Sequence, residues 1–321
     1  MPDKSVNKSA IIPHEMADLR FDQAVAKLWP EYSRQRLSEW IKSGEITLNH
    51  EIWRPKDKIQ GGEEVSLKAY LKEQVFDAPQ AFPLDIVFED DEIIVINKPD
   101  NLVVHPAAGN HDGTLLNGLL HHCPQLAKLP RAGIVHRLDK NTTGLMVVAK
   151  TLTAHTRLVE MLAARLVSRK YLALINGQMI VGQKIEAPIG RHSRNRQKMA
   201  VLQKGKPAIS HVRVKQKFLA HTLVEVTLET GRTHQIRVHL SHIEHPLVGD
   251  ALYGGRSVFP KGCDDTLKLL ISQFSRQALH AYSLGFAHPN REQPLRWETP
   301  LPEDFSELLE ALKPYSIDKD V

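Results

Sequence analysis

Gly133-Ile134-Val135-His136-Arg137-Leu138-Asp139-Lys140-Asn141-Thr142-Thr143-Gly144-Leu145 is the stretch on which the reading of this chain turns. Its polar middle lies between two apolar runs, Ile134-Val135 and Leu145-Met146-Val147-Val148-Ala149. Short apolar runs rich in β-branched residues read as buried strands. Asp139 is therefore expected on a loop that feeds a central strand. Burying a charge costs free energy unless it is paired. A loop holding a cation, an anion and two hydroxyl residues needs internal partners or a ligand, and spacing alone leaves a well-capped turn equally open.

Upstream, Ile86 to Phe88 and Ile93 to Asn97 read as two strands joined by the acidic turn Glu89-Asp90-Asp91-Glu92, which is read as turn surface rather than a metal site. Thr114 to His122 reads as a short helix, and Leu152 to Leu166 carries a helical period through Leu158, Met161, Leu162 and Leu166. Tyr171 to Ile175 is strand-like again. Strands and helices alternate irregularly and hairpin-like turns recur. The expected class is α+β, with a mixed, largely antiparallel sheet flanked by helices and loops.

The polar loop also resembles a family. His-Arg-Leu-Asp followed by Thr-Thr-Gly-Leu is similar to the catalytic motif of the RluA-type pseudouridine synthases. Five further segments fit that pattern in order: Leu84 to Pro99, Leu102 to Pro106, Gly231 to Leu240, His245 to Gly254 and Leu279 to Pro289. The resemblance covers nearly the whole chain. It implies isomerisation of uridine to pseudouridine in large-subunit (23S) ribosomal RNA, in the helix 69 stem-loop. The chemistry breaks N1–C1′ and joins C5 to C1′. It involves no redox change or hydrolysis, so no cofactor and no metal are expected. By resemblance Asp139 is the carboxylate that attacks C1′ or removes the C2′ proton, and both routes stay open. Arg237 matches the basic residue paired with it. Tyr171 matches the tyrosine that packs on the base, and Arg137 the residue that fills the gap the flipped base leaves. Leu279 supplies apolar wall.

Length and composition set the frame. A chain of 321 residues suggests two domains, and 42% apolar content is ample for a core. Residues 1–15 are expected to form a disordered tail and carry no signal-peptide core. In residues 16–76, Leu19, Phe21, Val25 and Leu28 form one apolar helical stripe. Ser33 is expected to cap a second helix that turns Leu37, Trp40 and Ile41 inward and stops at Gly44. Short strands follow at Ile46 to Leu48 and Glu64 to Leu67. Two helices and a small β unit resemble the S4 RNA-binding domain, although Asn49-His50 stands where that pattern has Asn-Gly. Arg34, Arg36, Lys42, Arg54, Lys56 and Lys58 are candidates to face phosphates. Residues 77–83 read as a linker, and 84–321 as the catalytic domain.

The net charge of +5 and pI near 9.1 are compatible with an acidic partner. The charge is concentrated: Gly190 to Lys217 holds nine Lys or Arg and no acid. A cationic hairpin of that kind suits phosphate tracking, with Arg194, Arg196 and Lys198 as candidate contacts. Thr233 is expected to cap a helix whose apolar side is Ile236, Leu240 and Ile243, with Arg237 projecting away from it. His234, His239, His242 and His245 lack metal-site spacing and read as satisfied or RNA-facing. Cys123 and Cys263 form no redox or metal pattern, which suits a reducing, cytoplasmic compartment. No apolar stretch is long enough to span a membrane. The expected partner is ribosomal RNA, in the large subunit or its assembly intermediate, with the chain acting as a monomer. Two alternatives are weighed. A non-catalytic RNA-binding or ribosome-assembly factor leaves the Asp139 and Arg237 motifs unexplained. A glycoside or nucleoside hydrolase wants two carboxylates, and no second acid stands out in the matched motifs.

Overall fold

The computed structural model describes residues 4–30, 32, 34–71, 78–106, 110, 112–291 and 293–317. The chain divides into two compact units, Met1–Val75 and Phe76–Val321. Ser33, the expected helix cap, and Asp77, the start of the expected linker, lie outside the described residues, as does the side chain of Arg34.

The first unit contains β1 (Lys4–Ile11), α1 (Phe21–Leu28), α2 (Arg34–Ser43), β2 (Ile46–Leu48) and β3 (Glu64–Leu71). Its antiparallel sheet runs β1-β3-β2. Phe21 and Val25 of α1 and Leu37, Trp40 and Ile41 of α2 are buried with Val65 and Leu67 of β3, as the stripes require. The expected tail is corrected: residues 4–11 form a strand that pairs with β3, Val6 opposite Ala69 and Ala10 opposite Val65. An edge strand needs only one apolar face. Here Val6 and Ala10 supply it, and main-chain hydrogen bonds along the β3 edge do the rest. At Asn49-His50 both residues hold positive φ, 49° and 68°, and Asn49 Oδ1 accepts from Glu64 N at 2.9 Å. Asn and His are both among the non-glycine residues enriched in the left-handed region, so the turn forms without glycine.

The second unit runs β4 (Ile86–Glu89), β5 (Ile93–Lys98), α3 (Leu115–His122), β6 (Thr143–Ala149), α4 (Leu152–Ala163), β7 (Ser168–Asn176), β8 (Gln183–Glu186), β9 (Ile189–Arg191) and β10 (Met199–Val201). It continues with β11 (Ile209–Lys217), β12 (His221–Leu228), α5 (Gln235–His242), α6 (Asp265–Gln273), β13 (Leu279–Ala287), β14 (Pro294–Glu298) and α7 (Glu303–Leu312). The large sheet is ordered β4-β5-β6-β13-β7-β12-β11-β8, with β14 beside β13. The β6–β13 pair is parallel and the other named pairs are antiparallel. β9 and β10 form a separate two-stranded ribbon.

The runs Ile93-Ile94-Val95-Ile96 and Leu145-Met146-Val147-Val148 do not alternate because both sheet faces are covered. Ile94, Ile96, Met146 and Val148 face one core with α3 and α5. Ile93, Val95, Leu145 and Val147 face another with Leu158 of α4. Residues 78–83 are tied to α3: Ala78 O accepts from Asn117 Nδ2 and Gln80 N donates to Asn117 O. The acidic turn does more than cover surface. Glu89 pairs with Lys150 and His122, Asp90 with His288, and Glu92 accepts from Thr151. No helix among the described residues is long and apolar enough to cross a membrane.

Candidate active site

The quoted stretch makes a sharp entry and exit around its loop. Arg131, Ala132 and Gly133 are consecutively left-handed. Gly133 is required there, since a Cβ would stand 1.9 Å from Ala149 O. At the far end Gly144, φ 112°, lets the parallel strands close, because a Cβ would meet Ala281 O at 2.3 Å. Leu138 is buried in the core while Arg137 beside it is exposed, so the apolar anchor fixes a loop whose charged neighbours are left outside. His136 does not supply a cation. Its Nε2 accepts from Val147 N at 3.0 Å, and burial, reinforced by Arg169, pushes its pKa down to about 3. Lys98, fully buried at the end of β5, holds the loop from below. Its Nζ donates to Lys140 O at 2.9 Å, Pro99 O at 2.6 Å and Leu102 O at 3.0 Å. Burial lowers its pKa to about 7 despite the pull of Asp100 and Asp139.

Asp139 opens onto a cavity of about 540 Å³. Asp139, Arg137, Tyr171, Arg237 and Leu279 all line it, so the structure brings these five expected residues together. Arg237 Nη1 donates to Asp139 Oδ2 at 3.0 Å. The other side of the guanidinium is spent on Asp250: Nε donates to Oδ2 at 2.7 Å and Nη2 to Oδ1 at 2.8 Å. The Asp250 side chain is fully buried, and its Oδ1 also accepts from Leu252 N and Tyr253 N. Burial works against the Arg237 charge. Asp250 and then Asp139 outweigh it and hold the guanidinium pKa above its usual value. Arg237 is thus a planar bridge between a sealed carboxylate and a solvent-reachable one.

Tyr171 lies on β7 two residues after Arg169, so both face the same side of the sheet. Burial, the largest influence on Tyr171, raises its pKa, and Asp139 adds to that. The phenol therefore stays protonated at neutral pH. Leu279, the first residue of β13, stands opposite Ala173 of β7 and closes the apolar side.

Helix α5 corrects one expectation. Its cap residue is His234, at φ 56° and ψ 22°, rather than Thr233. Gln235 satisfies the entry instead, its Oε1 accepting from Arg232 N and Thr230 Oγ1. Arg237 meets two carboxylates and is itself buried, in a helix buried from Gln235 to Leu240. Three of the four histidines are engaged by polar neighbours, and His242 is exposed. His239 meets Ser210 Oγ and Ala187 O, and His245 meets Asn176 O. His234 Nδ1 lies 2.9 Å from Tyr253 Oη, and its Nε2 3.9 Å from Asp139 Oδ1. No metal-holding cluster occurs among the described residues.

The basic stretch is not one hairpin. β9, β10 and their turn carry Arg191, Arg194, Arg196 and Lys198, while Arg213, Lys215 and Lys217 lie on β11 in the large sheet. Arg194 and Arg196 are exposed. They lie outside the cavity lining, and Lys198 Nζ sits 5.7 Å from the Tyr253 ring centroid, beside the site. Sequence reasoning missed Lys98, Asp250, Tyr253 and the position of His234. All four fall inside segments that carry the family resemblance, but no periodicity or spacing marks a buried polar residue that works through a neighbour.

Comparison with known proteins gives the family. A family model described as RNA pseudouridylate synthase matches residues 92–242. The solved structure of Human RNA Pseudouridylate Synthase Domain Containing 1 superposes with a TM-score of 0.57 at 26% identity, covering 76% of this chain and 94% of that one. Domain Containing 4 gives 0.55 at 27% identity, over 71% and 92%. Identity over nearly the full length to the relatives below settles membership: the chain belongs to the RluA-type RNA pseudouridine synthases. A relative from Xanthomonas campestris pv. campestris named Ribosomal large subunit pseudouridine synthase D is 53% identical over 312 residues, covering 97% of this chain and 94% of the relative. The protein of that name from Pseudomonas aeruginosa is 54% identical over 308 residues, covering 96% of each.

Proposed function

We propose that this protein isomerises uridines to pseudouridine in large-subunit ribosomal RNA, in the helix 69 stem-loop, with Asp139 as the catalytic carboxylate. The observation that carries the reading is the Asp139–Arg237 pair opening into a cavity walled by Tyr171 and Leu279. The names of the full-length relatives support the ribosomal target.

Arg237 orients the carboxylate through the hydrogen bond from its Nη1 to Asp139 Oδ2. Asp139 attacks C1′ or takes the C2′ proton. Either act breaks N1–C1′ and leaves uracil free to turn. C5 then joins C1′ as the Asp139–C1′ bond breaks, or, on the glycal route, as C2′ takes its proton back from Asp139; the C5 proton leaves and N1 takes up a proton. Tyr171 packs on the detached base. Arg137, exposed at the cavity mouth, fills the stack that the base vacates. Base flipping costs a few kcal/mol, and those two contacts offset part of it. Asp139 is the one carboxylate among the cavity-lining residues, because Asp250 is sealed behind Arg237. That disfavours a two-carboxylate glycosidase.

Residues 16–76 act as an S4-like RNA-binding domain, joined through 77–83 to the catalytic domain 84–321. Arg194, Arg196 and Lys198 track phosphates. The protein works as a cytoplasmic monomer without cofactor or metal. Mapping pseudouridine in ribosomal RNA from cells with and without the protein tests the reading. Loss of modified positions in helix 69 is expected, and an unchanged map would refute it.

A further inference from the structure

Tyr253 stands where three parts of the site meet. Its ring lies 5.0 Å from the Arg237 guanidinium and packs edge-on against His234 at 5.7 Å. Its hydroxyl has two polar neighbours, Met199 N at 2.7 Å and His234 Nδ1 at 2.9 Å. A backbone N–H can only donate, so the hydroxyl oxygen accepts from Met199. The phenol keeps its proton, because burial above all raises its pKa. That proton has one acceptor among the described residues, His234 Nδ1. An imidazole that accepts at Nδ1 carries its hydrogen on Nε2. Burial lowers the His234 pKa, with Arg237 reinforcing and Asp139 opposing it, so the ring is neutral at neutral pH. The opposite tautomer would turn a lone pair toward the Asp139 carboxylate and leave the phenol proton without a partner.

We propose that Tyr253 and His234 form a positioning relay, in which the Tyr253 hydroxyl fixes the Nε2–H tautomer of His234 and aims that N–H at Asp139 Oδ1. Arg237 already holds Oδ2, so the relay supplies the second donor and sets the plane of the carboxylate. The 3.9 Å separation is longer than a hydrogen bond. Such contacts are often long before substrate binds and tighten in the complex. The left-handed backbone at His234 is what turns its ring back across the start of α5 toward Asp139. A strained residue beside a reactive group is where such a device is expected. The relay is anchored on Met199, the first residue of β10, next to Lys198.

The proposal rests on the isomerase reading above, and its test separates the two. The tautomer is read by ¹⁵N spectra of the histidine-labelled full chain, and multiple-turnover tritium release from a 5-tritiated uridine transcript of the large-subunit stem-loop, over a range of transcript concentrations, gives kcat and KM. In the wild type, Nδ1 of His234 is expected to resonate as the unprotonated nitrogen and Nε2 as the protonated one. Tyr253→Phe keeps the ring on Arg237 and removes the hydroxyl. It is expected to give mixed tautomers and a kcat lower by about five- to tenfold, the scale of one neutral hydrogen bond, with KM and RNA affinity unchanged. His234→Gln keeps an N–H near the Nε2 position and should retain more activity than His234→Ala, both variants carrying the same left-handed backbone cost. A wild-type Nδ1–H tautomer, an unchanged kcat in Tyr253→Phe, an effect confined to KM, or equal rates for the Gln and Ala variants would each overturn the relay. If Tyr253→Phe does not fold, the wild-type spectrum and the His234 pair decide. If the wild type releases no tritium, the isomerase reading fails, and the spectra of wild type and Tyr253→Phe still decide the relay.

Discussion

Asp250 makes the clearest prediction at the scale of a residue. It is wholly buried and accepts four hydrogen bonds, two from Arg237 and two from backbone N–H groups. Removing one partner of a buried pair strands the other charge and costs about 3–5 kcal/mol. Asp250→Ala should therefore lower stability by that order in urea unfolding, and should cut activity because Arg237 loses its fixed orientation. A loss below about 1 kcal/mol would mean that Asp250 is not needed to hold Arg237. Lys98 makes a prediction about pH. Its folded pKa, about 7, lies below its ordinary 10.5. Between those values the unfolded chain binds more protons, so the native state gains stability as pH rises. The stability difference between wild type and Lys98→Met should move in favour of the wild type from pH 7 towards pH 10, at up to about 1.4 kcal/mol per pH unit. A difference flat across that window would mean that folding leaves the Lys98 pKa unlowered, and would contradict this account.

Among the elements, the β9–β10 ribbon carries the phosphate prediction. Replacing Arg194, Arg196 and Lys198 by Ala should weaken RNA binding. It should also flatten the slope of log affinity against log salt by about 0.7 to 0.9 for each phosphate no longer neutralised. An unchanged slope would remove this ribbon from the RNA interface. The elements also mark how far the sequence could be read. β5 and β6 were legible because four or five consecutive apolar residues leave little choice but a strand covered on both faces. α4 was legible from its period. β1 was not, since its stability comes from main-chain pairing with β3, which side-chain pattern does not record. The entry to α5 was misjudged for a related reason. A hydroxyl before an apolar run suggests a cap, but the local competition was won by Gln235 and by the left-handed turn at His234. Asp139, Arg237 and Tyr171 were reachable through motif resemblance. Lys98, Asp250 and Tyr253 act only through a neighbour's side chain or loop, and that pairing exists only after folding.

At the scale of the whole molecule, each unit has a core of its own. The cavity and all five residues gathered around it belong to the second unit. Deleting residues 1–75 should therefore lower RNA affinity or target choice and leave residual turnover. Complete loss of turnover in a folded truncation would show that the first unit is part of the chemistry.

The central claim is that the Asp139 carboxylate performs the chemistry, and the most direct measurement is tritium release from C5-labelled uridine by Asp139→Asn, alongside an RNA-binding assay. The amide keeps the size of the side chain, and the hydrogen bond from Thr142 N to Asp139 O is a backbone one that survives. The account predicts a folded protein that binds RNA with turnover abolished, because no other carboxylate lines the cavity among the described residues. Tritium release at the wild-type rate would contradict it.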